Sequence, residues 1–289
     1  MDRTIKEIYD RSEKRLIDRA RRSNFIVFVL GDIDSGKTYF ATHLIENLIK
    51  EGVSVGFVDS DIGQSKIGPP TTVGLSLPKK SSEIFLAMKL YFVGSTSPHG
   101  HMLPLVAGTK KMVEFSKAKN QVTVIDTTGT VQGNFGLSLK LNKIQLVQPE
   151  IVFALRKNSE LDHIIAIIKK LTFIELVTVS AHDLVKPKTM NERYENRRMA
   201  FFHYFRNATP QKIDVEMFNK LTVNKPDPSN NMINKIFCAW DAQGYTNSIG
   251  IIEEIGKDYI CVFAPPIELR RTAYFEIGEL KLNRSGNQL

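Results

Sequence analysis

The chain has 289 residues, 42% of them hydrophobic, enough for one large or two modest cored domains. A net charge of +8 and a pI near 9.3 favour polyanionic partners. Cys238 and Cys261 lack metal-ligand spacing, no apolar run is long enough for a bilayer, and residues 1–4 carry no signal core; the expected setting is intracellular and reducing, the cytoplasm.

Residues 1–22 read as a helix whose basic second half is expected to be the solvated face of a docking helix. Residues 25–30 read as a buried parallel strand. The strand ends at Gly31. Asp32, Ile33, Asp34 and Ser35 then lead to Gly36, Lys37, Thr38 and Tyr39, the phosphate-loop pattern G-x-x-x-x-G-K-[ST] at the start of an amphipathic helix. In such a loop, backbone N–H groups and the positive helix end surround an anion. Lys37 is expected on the β- and γ-phosphates, and the Thr38 hydroxyl on Mg²⁺. A plain glycine turn is the bland alternative, which the flanking strand and helix disfavour.

Residues 54–58 read as a second strand, running into Asp59, Ser60, Asp61, Ile62, Gly63 and Gln64. Two carboxylates at a strand's C-terminal end lie where α/β sheets bind ligands, and suit a metal or a proton taken from a nucleophile. A polar turn is their alternative. Residues 67–72 read as loop and 90–93 as a short strand. His99 and His101 lack a third ligand nearby, so loop is expected there too. Residues 103–118 read as helix. Residues 121–129 read as a third strand ending in a Walker B carboxylate, Asp126, with glycines following at Gly129, Gly133 and Gly136.

A helix at 137–147, a strand at 151–155, a helix at 158–170 and a strand at 174–179 complete an alternating pattern. That pattern predicts a doubly wound, mostly parallel α/β fold of the P-loop type. Residues 190–204 read as a helix with Arg193 and Arg197 on one face, suited to a mobile lid at about 186–208 that closes on a triphosphate; a solvated basic helix is the alternative. Residues 220–231 read as linker, and short β segments follow from Lys235. The expected division is a helix at 1–22, a P-loop domain at 23–210 and a β-rich domain at 211–289.

Two enzyme classes use such parts. A GTPase or ATPase switch finds Asp-x-x-Gly at Asp126 to Gly129, and the letters of a guanine motif at Asn224, Lys225, Pro226 and Asp227. Those four residues follow no convincing buried strand, and coincidence is the preferred reading. A P-loop kinase with a lid accounts for the paired acids, the arginine pair and the basic charge together. A nucleotide-binding scaffold without activity is the third reading.

The set resembles the polynucleotide 5′-hydroxyl kinase family, which acts in tRNA splicing, mRNA 3′-end formation and ribosomal RNA processing. The resemblance rests on the phosphate loop, on Asp59-x-Asp61-x-Gly63-Gln64, on Phe92-Val93-Gly94-Ser95-x-Ser97-Pro98, on the glycine-rich stretch after Asp126, and on Arg193-x3-Arg197. It covers residues 25 to about 285. It implies ATP and Mg²⁺ as cofactors, and transfer of the γ-phosphate to the 5′-hydroxyl end of RNA or DNA. By resemblance, residues 31–39 hold ATP, with Lys37 and Thr38 on phosphates and metal. Asp61 takes the hydroxyl proton or organises the metal, with Asp59 beside it and Gln64 positioning metal or water. Thr127, Thr128, Gly129 and Thr130 clamp the acceptor, and Arg193 and Arg197 neutralise the phosphoryl group. The family commonly places a base-stacking tryptophan where this chain has Thr130, and the larger eukaryotic relatives carry an N-terminal β domain where residues 1–22 stand here.

Overall fold

Two sets of strands differ in patterning, and each forms its own sheet. The computed structural model describes residues 14–181, 186–223 and 231–289. The first sheet holds β1 (Phe25–Gly31), β2 (Val55–Ser60), β3 (Thr72–Ser76), β4 (Lys89–Phe92), β5 (Val122–Thr127), β6 (Ile151–Arg156) and β7 (Glu175–Ser180), in the order β4-β3-β2-β5-β1-β6-β7. β2, β5, β1, β6 and β7 are parallel, and β3 and β4 add an antiparallel edge. Every residue of β1, β2 and β5 is buried, as strands covered on both faces must be.

Alternation along β1 divides the core. Phe25, Val27 and Val29 pack with Leu44 of α1 (Lys37–Lys50) and with Leu16 of the helical residues 14–20. Ile26, Phe28 and Leu30 pack with Leu105 of α2 (Met102–Lys117), Leu139 of α3 (Gly133–Val147) and Ile164 of α4 (Asp162–Ile168). Helices thus cover both faces, as the doubly wound reading requires. Register matters more for the site. Asp126 lies opposite Val29 on one side and Asp59 on the other, so the tips of β1, β5 and β2 end level.

α5 (Met190–Phe205) leads to the second sheet, which holds β8 (Thr209–Asp214), β9 (Lys235–Asp241), β10 (Thr246–Ile255), β11 (Tyr259–Ala264) and β12 (Thr272–Lys281). Its order is β12-β9-β10-β11-β8, and all its pairs are antiparallel. Phe201 and Phe205 of α5 are buried in one cluster with Phe92, Trp240 and Ile249. The Ile249 N–H also donates to the Tyr204 hydroxyl at 3.0 Å. The C-terminal half of α5 is therefore part of this second core.

Three elements depart from expectation. The loop expected at 67–72 ends at Thr72, where β3, which the sequence reading did not assign, begins and is wholly buried against β2. β8 escaped notice because only Ile213 in it is buried. α6 (Val215–Leu221), capped by the Asp214 carboxylate, runs into the start of the expected linker. Asn224 to Asp227, and residues 1–13 of the first helix, lie outside the described residues. Among the described residues no helix is long and apolar enough to cross a membrane.

Candidate active site

The loop between β1 and α1 closes on itself. A Cβ at Gly31 would lie 2.3 Å from Ser35 Oγ and 3.0 Å from the Leu155 carbonyl oxygen, so only glycine fits. Gly36 has φ 84°, and Asp34 adopts φ 55°. Lys37 is buried, and its Nζ donates to the Asp32 carbonyl at 2.6 Å. Burial lowers the Lys37 pKa, opposed by the charges of Asp126 and Asp61. The first turn of α1 contains no acidic residue, which leaves its N-terminal amides suited to an anion.

The carboxylates divide by role. Thr38 Oγ1 donates to Asp126 Oδ2 at 2.5 Å, whereas Asp126 Oδ1 is buried without a hydrogen-bond partner. Burial pushes Asp126 up to about 6, against the lowering influence of Lys37 and Thr38. An unpaired buried carboxylate oxygen beside a threonine hydroxyl is a hard-oxygen donor set that fits Mg²⁺. Asp61 Oδ1 accepts the N–H groups of Gly63 and Gln64, both at 3.1 Å. Asp61 faces a cavity of about 220 Å³ together with Lys37, Thr38, Gln64, Lys66 and Arg193.

Asp59 is not brought to that cavity. Its Oδ2 accepts from Ser65 Oγ at 3.1 Å, Lys66 N at 2.5 Å and Ile67 N at 3.1 Å, and its Oδ1 from Asp61 N at 3.0 Å. Burial first, and then the charge of Asp126, raise it to about 7. Its hydrogen bonds make it the organiser of the turn that carries Asp61 and Gln64.

The loop after β5 lies directly on the phosphate loop. A Cβ at Gly129 would sit 2.7 Å from the backbone N and Cα of Ile33. Thr127 and Thr128 are buried and Thr130 is half-buried. Beneath them is a residue that sequence reasoning missed. The fully buried Lys140 Nζ donates to Thr127 Oγ1 at 3.0 Å and to the Thr128 carbonyl. One turn on, the fully buried Lys143 donates to Ser60 Oγ, between the two aspartates. Burial lowers both lysines, Lys143 to about 7. The available signal was two lysines three apart on the face that also carries Leu139, Ile144 and Val147.

The two arginines of α5 part company. Arg193 Nη2 meets Asp34 Oδ2 at 2.6 Å, and the Lys188 N–H reaches the same oxygen at 3.1 Å. Gln64 Nε2 donates to the Arg193 carbonyl at 3.1 Å. A capping box of Thr189 and Glu192 fixes the start of α5. Arg197 points instead to a neighbouring groove, and its buried Nε has no partner. Lys66, Lys186 and Lys188, also absent from the sequence reading of the site, line the cavity. His99 stacks edge-on against Phe135, and His101 faces Glu279 at 3.6 Å.

A family model, the P-loop region of the mRNA cleavage and polyadenylation factor CLP1, matches residues 31–207. The chain belongs to this family. It is 35% identical over 185 residues to a polyribonucleotide 5′-hydroxyl-kinase of Methanocaldococcus jannaschii, covering 63% of this chain and 50% of the relative. A protein of the same name from Pyrococcus furiosus is 32% identical over 215 residues, covering 73% and 59%. The chain thus spans about half the length of the curated relatives it matches first. The solved structure of a Clp1p–Pcf11p complex shares the fold, with a TM-score of 0.73 at 12% identity over 96% of this chain and 79% of that one. The P-loop of this CLP1-family chain implies use of a nucleotide.

Proposed function

We propose that this CLP1-family chain is a phosphotransferase that carries the ATP γ-phosphate to the 5′-hydroxyl end of a polynucleotide, RNA before DNA. One observation carries the reading: Lys37, Thr38, Asp61 and Arg193 converge on a single cavity at the strand tips. Its relatives' shared name agrees with it. Lys37 and the amides at the start of α1 bind the β- and γ-phosphates. Thr38 and Asp126 are the residues that would hold Mg²⁺, which when bound neutralises charge on the phosphates. Asp61 accepts the proton of the attacking hydroxyl. The bond from that oxygen to the γ-phosphorus forms as the bond to the β,γ-bridging oxygen breaks, and ADP leaves. Arg193 exchanges Asp34 for the phosphoryl oxygens. Asp59 acts through the turn it holds, and Thr128 and Gly129 border the acceptor. Positioning and charge suffice for this chemistry.

The test is transfer from labelled ATP to matched RNA and DNA oligonucleotides, each with a 5′-hydroxyl, with Lys37→Ala as control. Labelled RNA from the parent protein and none from the variant is expected. Tight ATP binding without label on either oligonucleotide overturns the kinase reading and leaves a nucleotide-binding scaffold.

A further inference from the structure

Beside the phosphate cavity lies a groove of about 670 Å³, larger than the cavity and unused by any role above. Gln64 and Lys66 line both, so the groove adjoins the cavity that Asp61 lines. One wall is the solvent side of α5, and the other is the chain from Gln64 to Pro70 together with Phe85 and Ala87. Lys66, Arg197, His203 and Arg206 face it, and none of its described lining residues is acidic. Phe85 and Met199 give it apolar surface while remaining 46% and 37% exposed.

Two buried polar atoms lack partners along the groove, the Nε donor of Arg197 and the Oε1 acceptor of Gln64, the second of these a residue that also lines the cavity. Such groups are costly to leave unpaired, so a ligand bearing both anionic oxygens and a donor is favoured there. An acid-free, basic wall selects a polyanion, and an exposed ring beside it selects one with planar apolar faces. Adjacency to the cavity that Asp61 lines favours an occupant whose end is the group that reacts. Thr130, in the loop on the other side of the phosphate cavity, offers no ring for stacking.

We propose that this groove receives the first nucleotides of a single-stranded RNA 5′ end, with backbone phosphates on Arg197 and Arg206 and an unpaired base on Phe85. The identity of the occupant rests on the kinase reading; the groove's preference for an unpaired, base-bearing polyanion does not.

The experiment uses an RNA oligonucleotide with a 5′-hydroxyl and 2-aminopurine as its first base, whose fluorescence falls on stacking. Phe85 is exposed, so Phe85→Ala leaves the fold intact. The variant is expected to lose the quench and to raise the KM for single-stranded RNA by about tenfold, the scale of one lost base stack, with the KM for ATP unchanged. Phe85→Trp restores both. A blunt duplex, whose terminal base is paired, is expected to be equally poor with parent and variant. An unchanged quench and unchanged RNA KM in Phe85→Ala overturn the proposal while the kinase reading stands. A parent protein that quenches the probe but transfers no phosphate supports the groove and removes the kinase reading.

Discussion

Replacing Asp59 by asparagine, and Asp126 likewise, tests whether the first builds the site and the second is the proposed metal ligand in it. Asp59 Oδ2 accepts three hydrogen bonds, from Ser65 Oγ and from the N–H groups of Lys66 and Ile67. Asparagine can keep its carbonyl oxygen on these three donors, but its NH₂ then faces the Asp61 N–H, which Oδ1 accepts at 3.0 Å, and one backbone N–H is orphaned. That costs about 1–3 kcal/mol. Relief of a buried carboxyl beside Asp126 offsets part of this, leaving a net loss of about 1–2 kcal/mol. With about 2–4 °C of Tm per kcal/mol for a domain of this size, Tm falls by roughly 2–8 °C. Asp126→Asn behaves oppositely. One of its oxygens already lacks a partner, and the other remains the acceptor for Thr38, so Tm changes little. The assay is thermal melting alongside the affinity for a fluorescent ATP analogue, with and without Mg²⁺. Asp59→Asn is expected to lower Tm yet keep the Mg²⁺-dependent gain in affinity; Asp126→Asn should do the reverse. A stable Asp59→Asn protein without the Mg²⁺ effect would refute the argument, because Asp59 would then be a ligand and its backbone contacts dispensable.

The remaining predictions concern charge buried behind the site. Asp59 and Asp126 have pKa values raised to about 7 and about 6, so the stability tied to their protons is complete below about pH 4 and is lost as pH rises to 7. Lys143, lowered to about 7, works the other way, and its contribution returns as pH climbs from 7 towards the ordinary lysine value. The urea midpoint without nucleotide should therefore pass through a minimum near pH 7, and Lys143→Met should make its alkaline arm shallower, the remainder coming from Lys140 and Lys37; a monotonic profile in both proteins would contradict this. Lys140→Met removes the donor under the Thr128 carbonyl but also a buried charge, so stability should change by less than about 2 kcal/mol. The RNA KM should rise while ATP affinity is kept, and equal losses in both would show that Lys140 supports the whole site rather than the acceptor loop.

Much of this arrangement could be read from residue order. Phe25 to Leu30 is an unbroken apolar run because β1 is covered on both faces, and the glycines of the phosphate loop are dictated by close backbone approach. Asp59 and Asp61 could be placed at a strand tip, but spacing says nothing of which carboxylate turns inward. That is decided by three residues downstream, Ser65, Lys66 and Ile67, folding back over Asp59. Lys140 and Lys143 were illegible for a related reason. A lysine in a helix ordinarily lies in solvent, and the oxygens of Thr127, Thr128 and Ser60, at the ends of β5 and β2, make burial tolerable. β8 hid because an edge strand with one buried residue has no apolar alternation to detect.

The N-terminal half of α5 ties these pieces together. Phe201 and Phe205 hold its C-terminal half in the second core, while Arg193 lies at the phosphate loop. Arg193 is held from two sides, its guanidinium by Asp34 of the phosphate loop and its carbonyl by Gln64 of the Asp61 turn. Asp34 therefore occupies the place of an anion towards Arg193, and a phosphate reaching that guanidinium must outcompete a charge-assisted bond of 2.6 Å. Displacement of Asp34 also frees the acceptor of the Lys188 N–H, at the start of the same helix. Phosphate loop, acidic turn and α5 thus meet at Arg193, so a ligand that engages Lys37 without reaching Arg193 is expected to leave α5 in the arrangement described here.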